Sequence, residues 1–371
     1  MPPRVLHFKS IYLNRSETFI DRLIRHLQRY DPIVATLFPK HYTENLPIYT
    51  PSGWWAWRRD CWLKQLNRTP RFLYGLCRRL QPALVHAHFG LDGYRLIGLA
   101  RKTGLPLVVS FYGHDVSRLP DAAGWQRRYQ RLALQGTRFI AATEAMKQQL
   151  LRLGFPETRI AVVRFGLDLH QFAFQARHQA GPRLLLVGRL VEKKGHAVAL
   201  EAVARLHALG IEARLSCLGD GPLRNALKEK AQKLGIADRV LFYGEVTNEQ
   251  VHDAYYTHDV LLVPSQTATD GDQEGLPNVL IEGLACGIPV IATRHAGIPE
   301  LVQHESTGLL VPEGDAEALA AAILRLMETP GLVARLSYAG RLAVEQLHSL
   351  ERMVGDVEAI YDDVLSRPCI L

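Results

Sequence analysis

The sequence predicts two doubly wound, parallel α/β domains joined in tandem. Three observations carry this reading. A chain of 371 residues is longer than one ordinary core accommodates. Short apolar runs alternate with amphipathic helical patterns along most of it. That alternation lapses once, between residues 164 and 182, and then restarts.

In the first half, Val5–Phe8, Ile33–Phe38, Ala83–His88, Pro106–Ser110, Arg138–Ala142 and Ile160–Val163 are short apolar runs suited to strands buried on both faces. Between the first two, Phe19, Ile20, Leu23, Ile24 and Leu27 share one helical face, with Arg22, Arg25 and Arg29 largely opposite. A less regular insert, Gly53–Leu80, carries four of the five tryptophans. The stretch 164–182 has no sustained periodicity and ends in Gly181-Pro182, so it reads as a linker. Strands then follow at Arg183–Val187, Ala213–Leu218, Val240–Tyr243, Val260–Val263 and Pro289–Ala292. Helices at Ala197–Ala208, Leu223–Leu234, Asn248–Thr257 and Val279–Ala285 alternate with them. The expected organisation is a first domain over 1–165, a linker over 166–182 and a second domain over 183–348. A C-terminal helix over 349–371 is placed to cross back to the first domain. Ligands of such sheets bind outside the carboxyl ends of the strands, so the expected site is a cleft between the two domains.

Composition narrows the class. The net charge of +7 conceals an asymmetry: residues 1–170 hold 26 Lys and Arg against 11 Asp and Glu, and the remainder 18 against 26. The first half should therefore face something anionic. No nucleic-acid reader motif is present, so no nucleic-acid partner is expected. Five scattered cysteines without a C-x-x-C pair suit neither a disulfide framework nor a zinc site. The N-terminal segment lacks the apolar core of a signal peptide, and no run has the length of a spanning helix. A cytoplasmic location is expected, with peripheral attachment to the inner face of the plasma membrane as an option. For that option the pertinent segment is GWWAWRRDCWLKQL, residues 53–66. As a helix it aligns Trp54, Trp55 and Trp62 towards one face, and either membrane contact or a buried aromatic cluster accounts for them.

The chemistry-bearing residues concentrate in the second half. Gly188-Arg189 follows a buried strand, and Lys193, Lys194 and Gly195 open the next helix. A glycine at a strand-to-helix turn, helix amides and cationic side chains together complement a diphosphate. Some eighty residues on, Glu274 and Glu282 are spaced E-x(7)-E across a helix start. Helical throughout, they would lie near one face. Glu282 sits among Ile281, Leu284 and Ala285, where a carboxylate needs a partner that ribose hydroxyls would supply. Asp270 and Asp272 form a D-x-D, read here as turn chemistry and not as a metal site. Gly219–Arg224 departs from a dinucleotide fingerprint at its third glycine. In the first half, His86 and His88 end one strand, and Tyr112-Gly113-His114-Asp115 ends the next.

With these motifs the sequence resembles glycosyltransferase family 4 of the GT-B superfamily, in its exopolysaccharide and colanic-acid branch. The resemblance rests on GR-x(4)-KG, FYGEVTNEQV, DVLLVPS, EGLPNVLIEGLACGIPVIAT, GIPELV and TGLLVPEGD in the second half, and on SETFI, HAHFG and SFYGHDVS in the first. It implies two Rossmann-like domains facing across a cleft and a hexosyltransferase that retains anomeric configuration. The co-substrate would be a nucleotide diphosphate sugar, with no cofactor and no metal. By position, Gly188, Arg189 and Lys194 would hold the donor diphosphate, and Glu274 the hydroxyls of the transferred sugar. Gly275, Leu276, Pro277 and Asn278 form the helix start facing the phosphate; Glu282 would bind the ribose, and Gly244, Glu245 and Val246 the base. Catalysis is expected from Glu274, Arg189, Lys194 and His114. Ser16, Glu17, His88 and Tyr112 are expected on the acceptor side, towards a glycan or lipid-linked sugar. Two departures stand out: Tyr112 occupies the place where many relatives carry a histidine, and Lys9–Tyr12 lacks the Gly-Gly loop. The alternatives are a nucleotide-sugar epimerase, which would not need the basic acceptor-side surface, and a non-catalytic sugar-nucleotide binder, which would bind without turnover.

Overall fold

A computed structural model describes residues 2–12, 17–40 and 46–366. The chain forms two compact units, Met1–Gly166 with Leu350–Leu371, and Leu167–Ser349. The strands of the first unit are β1 (Arg4–Phe8), β2 (Ile11–Tyr12), β3 (Asp31–Ala35), β4 (Phe38–Pro39), β5 (Ile48–Tyr49), β6 (Leu84–His88), β7 (Leu107–Phe111), β8 (Arg138–Ala141) and β9 (Ile160–Val162). Its helices are α1 (Thr18–Arg25), α2 (Trp54–Gln65), α3 (Phe72–Leu80), α4 (Gly90–Thr103), α5 (Trp125–Gln135) and α6 (Glu144–Arg152). Seven strands form a parallel sheet in the order β5-β3-β1-β6-β7-β8-β9. Strand order therefore reverses between β1 and β6. The insert expected to be irregular contains α2 and α3. Asp60, fully buried in α2, accepts the N–H groups of Arg71 (2.9 Å) and Phe72 (3.1 Å) and so caps α3.

The second unit has strands β10 (Arg183–Val187), β11 (Arg214–Leu218), β12 (Val240–Gly244), β13 (Val260–Val263), β14 (Val290–Thr293) and β15 (Leu309–Val311). Helices α7 (His196–Ala208), α8 (Arg224–Lys233), α9 (Asn248–Thr257), α10 (Asn278–Cys286), α11 (Ala316–Glu328) and α12 (Leu332–Leu347) surround them. Its parallel sheet runs β12-β11-β10-β13-β14-β15, reversing between β10 and β13. Residues 167–182, expected as a linker, pack on this unit. Arg341 donates to the Phe172 carbonyl (2.7 Å), and the Gln175 N–H to that of Cys286 (3.1 Å).

The last helix, α13 (Leu350–Ser366), belongs to the first unit. Its Leu350, Met353, Val354, Val357, Tyr361 and Val364 share a core with Val5, Leu84, Val108 and Ile140 of the sheet. Glu358 fastens it by accepting from the backbone of Gln28 (2.6 Å) and Arg29 (2.7 Å) and from the Arg29 side chain (2.9 Å).

Candidate functional site

In the second unit the reversal between β10 and β13 opens a crevice at the carboxyl ends of those strands, where ligands of this architecture bind. Gly188 follows β10, and its N–H donates to Leu218 at the end of β11 (2.9 Å). Gly219 in turn donates to Gly244 at the end of β12 (2.8 Å). Three glycines thus lie side by side at neighbouring strand ends. A Cβ on Gly219 would come within 2.2 Å of the Gly188 oxygen, so the backbone floor needs glycine there. Arg189 is exposed at its rim, and its guanidinium has no partner among the described residues.

Beyond Arg189 the chain makes a 3₁₀ turn, Glu192–Lys194, ending at Gly195 with φ +69°. A Cβ on Gly195 would meet the Pro264 carbonyl oxygen at 1.8 Å. The turn is therefore pressed against the loop after β13, which explains how two lysines from one loop meet carboxylates from the other. Lys194 Nζ lies 3.0 Å from Glu274 Oε2. Lys193, 8 % exposed, lies 3.3 Å from Glu274 Oε1 and 2.9 Å from Asp272 Oδ2. Burial pushes the Glu274 carboxyl up, but Lys194 and Lys193 outweigh it and hold it below its ordinary value. The two members of the D-x-D do separate jobs: Asp270 accepts the Asp272 N–H in a turn (3.0 Å), and Asp272 faces Lys193.

Helix α10 begins at Asn278, so Glu274 precedes the helix and the shared helical face expected for Glu274 and Glu282 does not form. Pro277, with ψ 126°, ends the extended approach, and no side chain caps the first amides of α10. Glu282, on the helix, receives the hydroxyl of fully buried Tyr255 (2.8 Å). That partner left no mark in the sequence. Behind Glu274 lies a further unsuspected pair. Buried His295 accepts the Glu274 N–H at Nε2 (3.2 Å), so its Nδ1–H donates to Glu313 (2.7 Å). Glu313 also accepts the Thr267 N–H (2.8 Å), tying both flanks of the loop together.

Among the first-unit expectations, those for His88 and His114 need correction. His88 is fully buried and both its ring nitrogens are engaged, one with His7 Nδ1 (3.1 Å) and one with the Tyr112 hydroxyl (2.7 Å). His88 is thus an interior residue of this unit, and Tyr112 spends its hydroxyl on it. His86 bonds Tyr361 of α13 (2.6 Å) and Ser110 (2.7 Å). His7, His86 and His88 bring ring nitrogens within 4.8 Å of one another. However, five of the six nitrogens are bonded within the protein, only His7 Nε2 lacking a partner, and burial lowers all three pKa values, that of His86 to about 3. These contacts make a neutral hydrogen-bonded network. His114 is exposed beyond β7, where Val116 and Ser117 turn back onto the Gly113 carbonyl, so the chain is not extended there and His114 does not continue the strand face of Tyr112. Glu17 opens α1 and pairs with Lys9 (2.7 Å). Ser16 lies outside the described residues.

Two family models adjoin along the chain: "Glycosyltransferase Family 4" matches residues 16–171 and "Glycosyl transferases group 1" residues 170–343. The amylovoran biosynthesis glycosyltransferase AmsK of Erwinia amylovora is 37 % identical over 264 residues, 70 % of this chain and 64 % of that protein. WcaL of Salmonella typhimurium, named for colanic acid biosynthesis, is 38 % identical over 240 residues, 63 % and 59 % of the two chains. The alignments thus span about three-fifths of these relatives' length. Among solved structures, Anabaena Alr3699/HepE in complex with UDP and glucose superposes with a TM-score of 0.79 at 17 % identity, covering 97 % of this chain and all of that one. With the paired parallel sheets, these matches mean that the chain belongs to glycosyltransferase family 4 and has the GT-B fold.

Proposed function

We propose that the protein transfers a sugar from a nucleotide diphosphate donor to a glycan or lipid-linked acceptor in surface polysaccharide assembly, with retention of configuration and without a metal. The observation that carries this is the crevice of the second unit. There an unpaired guanidinium (Arg189), a Lys194–Glu274 pair at 3.0 Å and the uncapped start of α10 converge on a glycine floor. As the acceptor hydroxyl attacks the anomeric carbon, the bond to the diphosphate oxygen breaks and the hydroxyl proton passes to the departing phosphate. Arg189, Lys194 and the α10 amides offset the charge developing on that phosphate, as a metal would elsewhere. Glu274 orients the sugar hydroxyls and Glu282 the ribose. The relatives' names support the polysaccharide context, and HepE with UDP and glucose supports the donor class.

The test is ligand-observed binding over UDP-, GDP- and ADP-sugars, followed by turnover in EDTA. One base class should bind, and turnover with its sugar should survive chelation. Loss of activity in EDTA with rescue by Mn²⁺ would make Asp270 and Asp272 ligands and overturn the metal-free reading. Tight binding without any turnover would leave a non-catalytic binder.

A further inference from the structure

A second concavity lies in the first unit. It encloses about 470 Å³ between the end of α2, residues 67–71, and helices α3, α4 and α5. Four arginines line it, Arg68, Arg71, Arg95 and Arg131, and no carboxylate does. Arg68, Arg71 and Arg131 are exposed, and their guanidinium groups have no partner among the described residues. Arg95 is 6 % exposed; it bonds Asp92 (2.7 Å), yet its Nε–H is buried without an acceptor. The buried carboxylates of these elements leave Arg68, Arg71 and Arg131 without a counter-charge. Asp60 is taken by Arg59 (3.0 Å) and the α3 amides, and Asp92 by Arg95 and the N–H of Ser10 (2.8 Å). Lys64, on α2, feels the consequence: burial, and then the Arg95 charge, lower its pKa below the ordinary lysine value. Three exposed guanidinium groups without a carboxylate, beside a buried Nε–H without an acceptor, are the surroundings an anion suits.

The remaining walls describe the rest of the ligand. Leu63 of α2 and Leu66 just past its end form an apolar shoulder, and Leu66 is 47 % exposed. It continues onto the exposed face of α2, where Trp55 and Trp62 are 77 % and 58 % exposed. A ligand that satisfies both parts has a compact polyanionic head and an apolar body held beside it.

We infer that this cavity binds the phosphate or diphosphate head of a membrane lipid, with arginine forks on the phosphate oxygens and α2 lying against the lipid surface. The identity of that lipid as the acceptor's carrier rests on the proposed function; the anion site itself does not. The test uses the full chain and inorganic pyrophosphate in a calorimetric titration. The double variant Arg71→Gln, Arg131→Gln, at exposed unpaired positions that folding does not need, should bind pyrophosphate at least tenfold more weakly. Arg189→Ala should retain binding at the cavity. The reverse pattern would put the ion in the donor crevice and overturn the site. Flotation then distinguishes the source. Zwitterionic vesicles carrying a polyprenyl diphosphate should capture the wild type better than vesicles of equal charge made with phosphatidylglycerol, and the double variant should lose that preference. No preference in the wild type would assign the cavity to a soluble diphosphate and overturn the lipid inference. Nucleotide-sugar binding is measured in the same samples. Its absence would defeat the proposed transfer reaction and leave the cavity result intact.

Discussion

Lys193 and Lys194 are adjacent and chemically identical, yet they stand in different places. Lys193 is nearly enclosed and pairs with both Asp272 and Glu274; Lys194 is half-buried and pairs with Glu274 alone. The sequence places a Lys-Lys pair beside a ligand-binding turn, but which one faces inward depends on Gly195 seating the turn against Pro264, a contact between segments seventy residues apart. Three substitutions separate the roles. Arg189→Ala should leave stability unchanged, because the group has no partner to lose, while turnover falls roughly tenfold to a thousandfold. Lys194→Ala should lose turnover to a similar degree with a small loss of stability, since Lys193 still neutralises Glu274. Lys193→Ala removes the lysine facing half-buried Asp272 and leaves Glu274 with Lys194 alone, so it should cost more than Lys194→Ala, about 1–3 kcal/mol in urea unfolding. A Lys193→Ala protein of wild-type stability would refute this division. Glu282 teaches the same lesson. The sequence shows a carboxylate in an apolar helix that demands a partner, while the buried hydroxyl of Tyr255 that meets it comes from α9.

At the scale of elements, the strands are legible because burial on both faces leaves unbroken apolar runs, as in Leu184–Val187 and Val260–Val263. α2 is not legible in this way: Trp54 and Trp55 point outward while Asp60 is buried, so its apolar residues trace no single face. α13 is visible as a helix, but its bond to His86 through Tyr361 spans 275 positions and has no local signature. That bond belongs to a network linking β1, β6, β7 and α13 through three neutral histidines, and it sets a pH response. Burial lowers their folded-state pKa values, so below the ordinary value of 6.5 the unfolded chain takes up protons that the folded chain refuses. Stability is therefore full above pH 6.5 and declines on acidification towards the folded pKa, about 3 for His86. Each histidine contributes about 1.4 kcal/mol per pH unit within that window. The urea midpoint should already fall between pH 6.5 and 5, where carboxylates remain ionised, and a flat midpoint there would mean the histidines are protonated in the folded protein. Tyr361→Phe should cost about 1–3 kcal/mol by leaving the His86 nitrogen unbonded.

Across the whole molecule, charge is divided between the halves of the chain: 26 Lys and Arg against 11 Asp and Glu up to residue 170, and 18 against 26 beyond it. The first unit also carries the exposed tryptophans. Of the four in residues 53–66, only Trp57 turns inward, donating from its indole nitrogen to the Leu37 carbonyl (3.1 Å) and meeting Phe38 edge-on. Trp54, Trp55 and Trp62 are more than half exposed, and Arg58 stacks over Trp54 at 4.6 Å. The buried-cluster alternative thus holds for one ring and fails for three. No helix among the described residues is long and apolar enough to cross a membrane, so the contact expected is lateral. Indole rings favour the headgroup boundary, and each basic residue near an anionic leaflet adds about 1 kcal/mol. Binding to vesicles rich in phosphatidylglycerol should be reversible and should weaken as salt shortens the Debye length. The informative variants avoid Arg59, whose reversal would set a glutamate against buried Asp60. Trp55→Ala with Trp62→Ala should weaken association at every salt concentration, because the loss is apolar. Arg58→Glu should weaken it chiefly at low salt. Flotation of the wild type that is absent at low salt, or unchanged in both variants, would take α2 away from the membrane and leave a soluble acceptor.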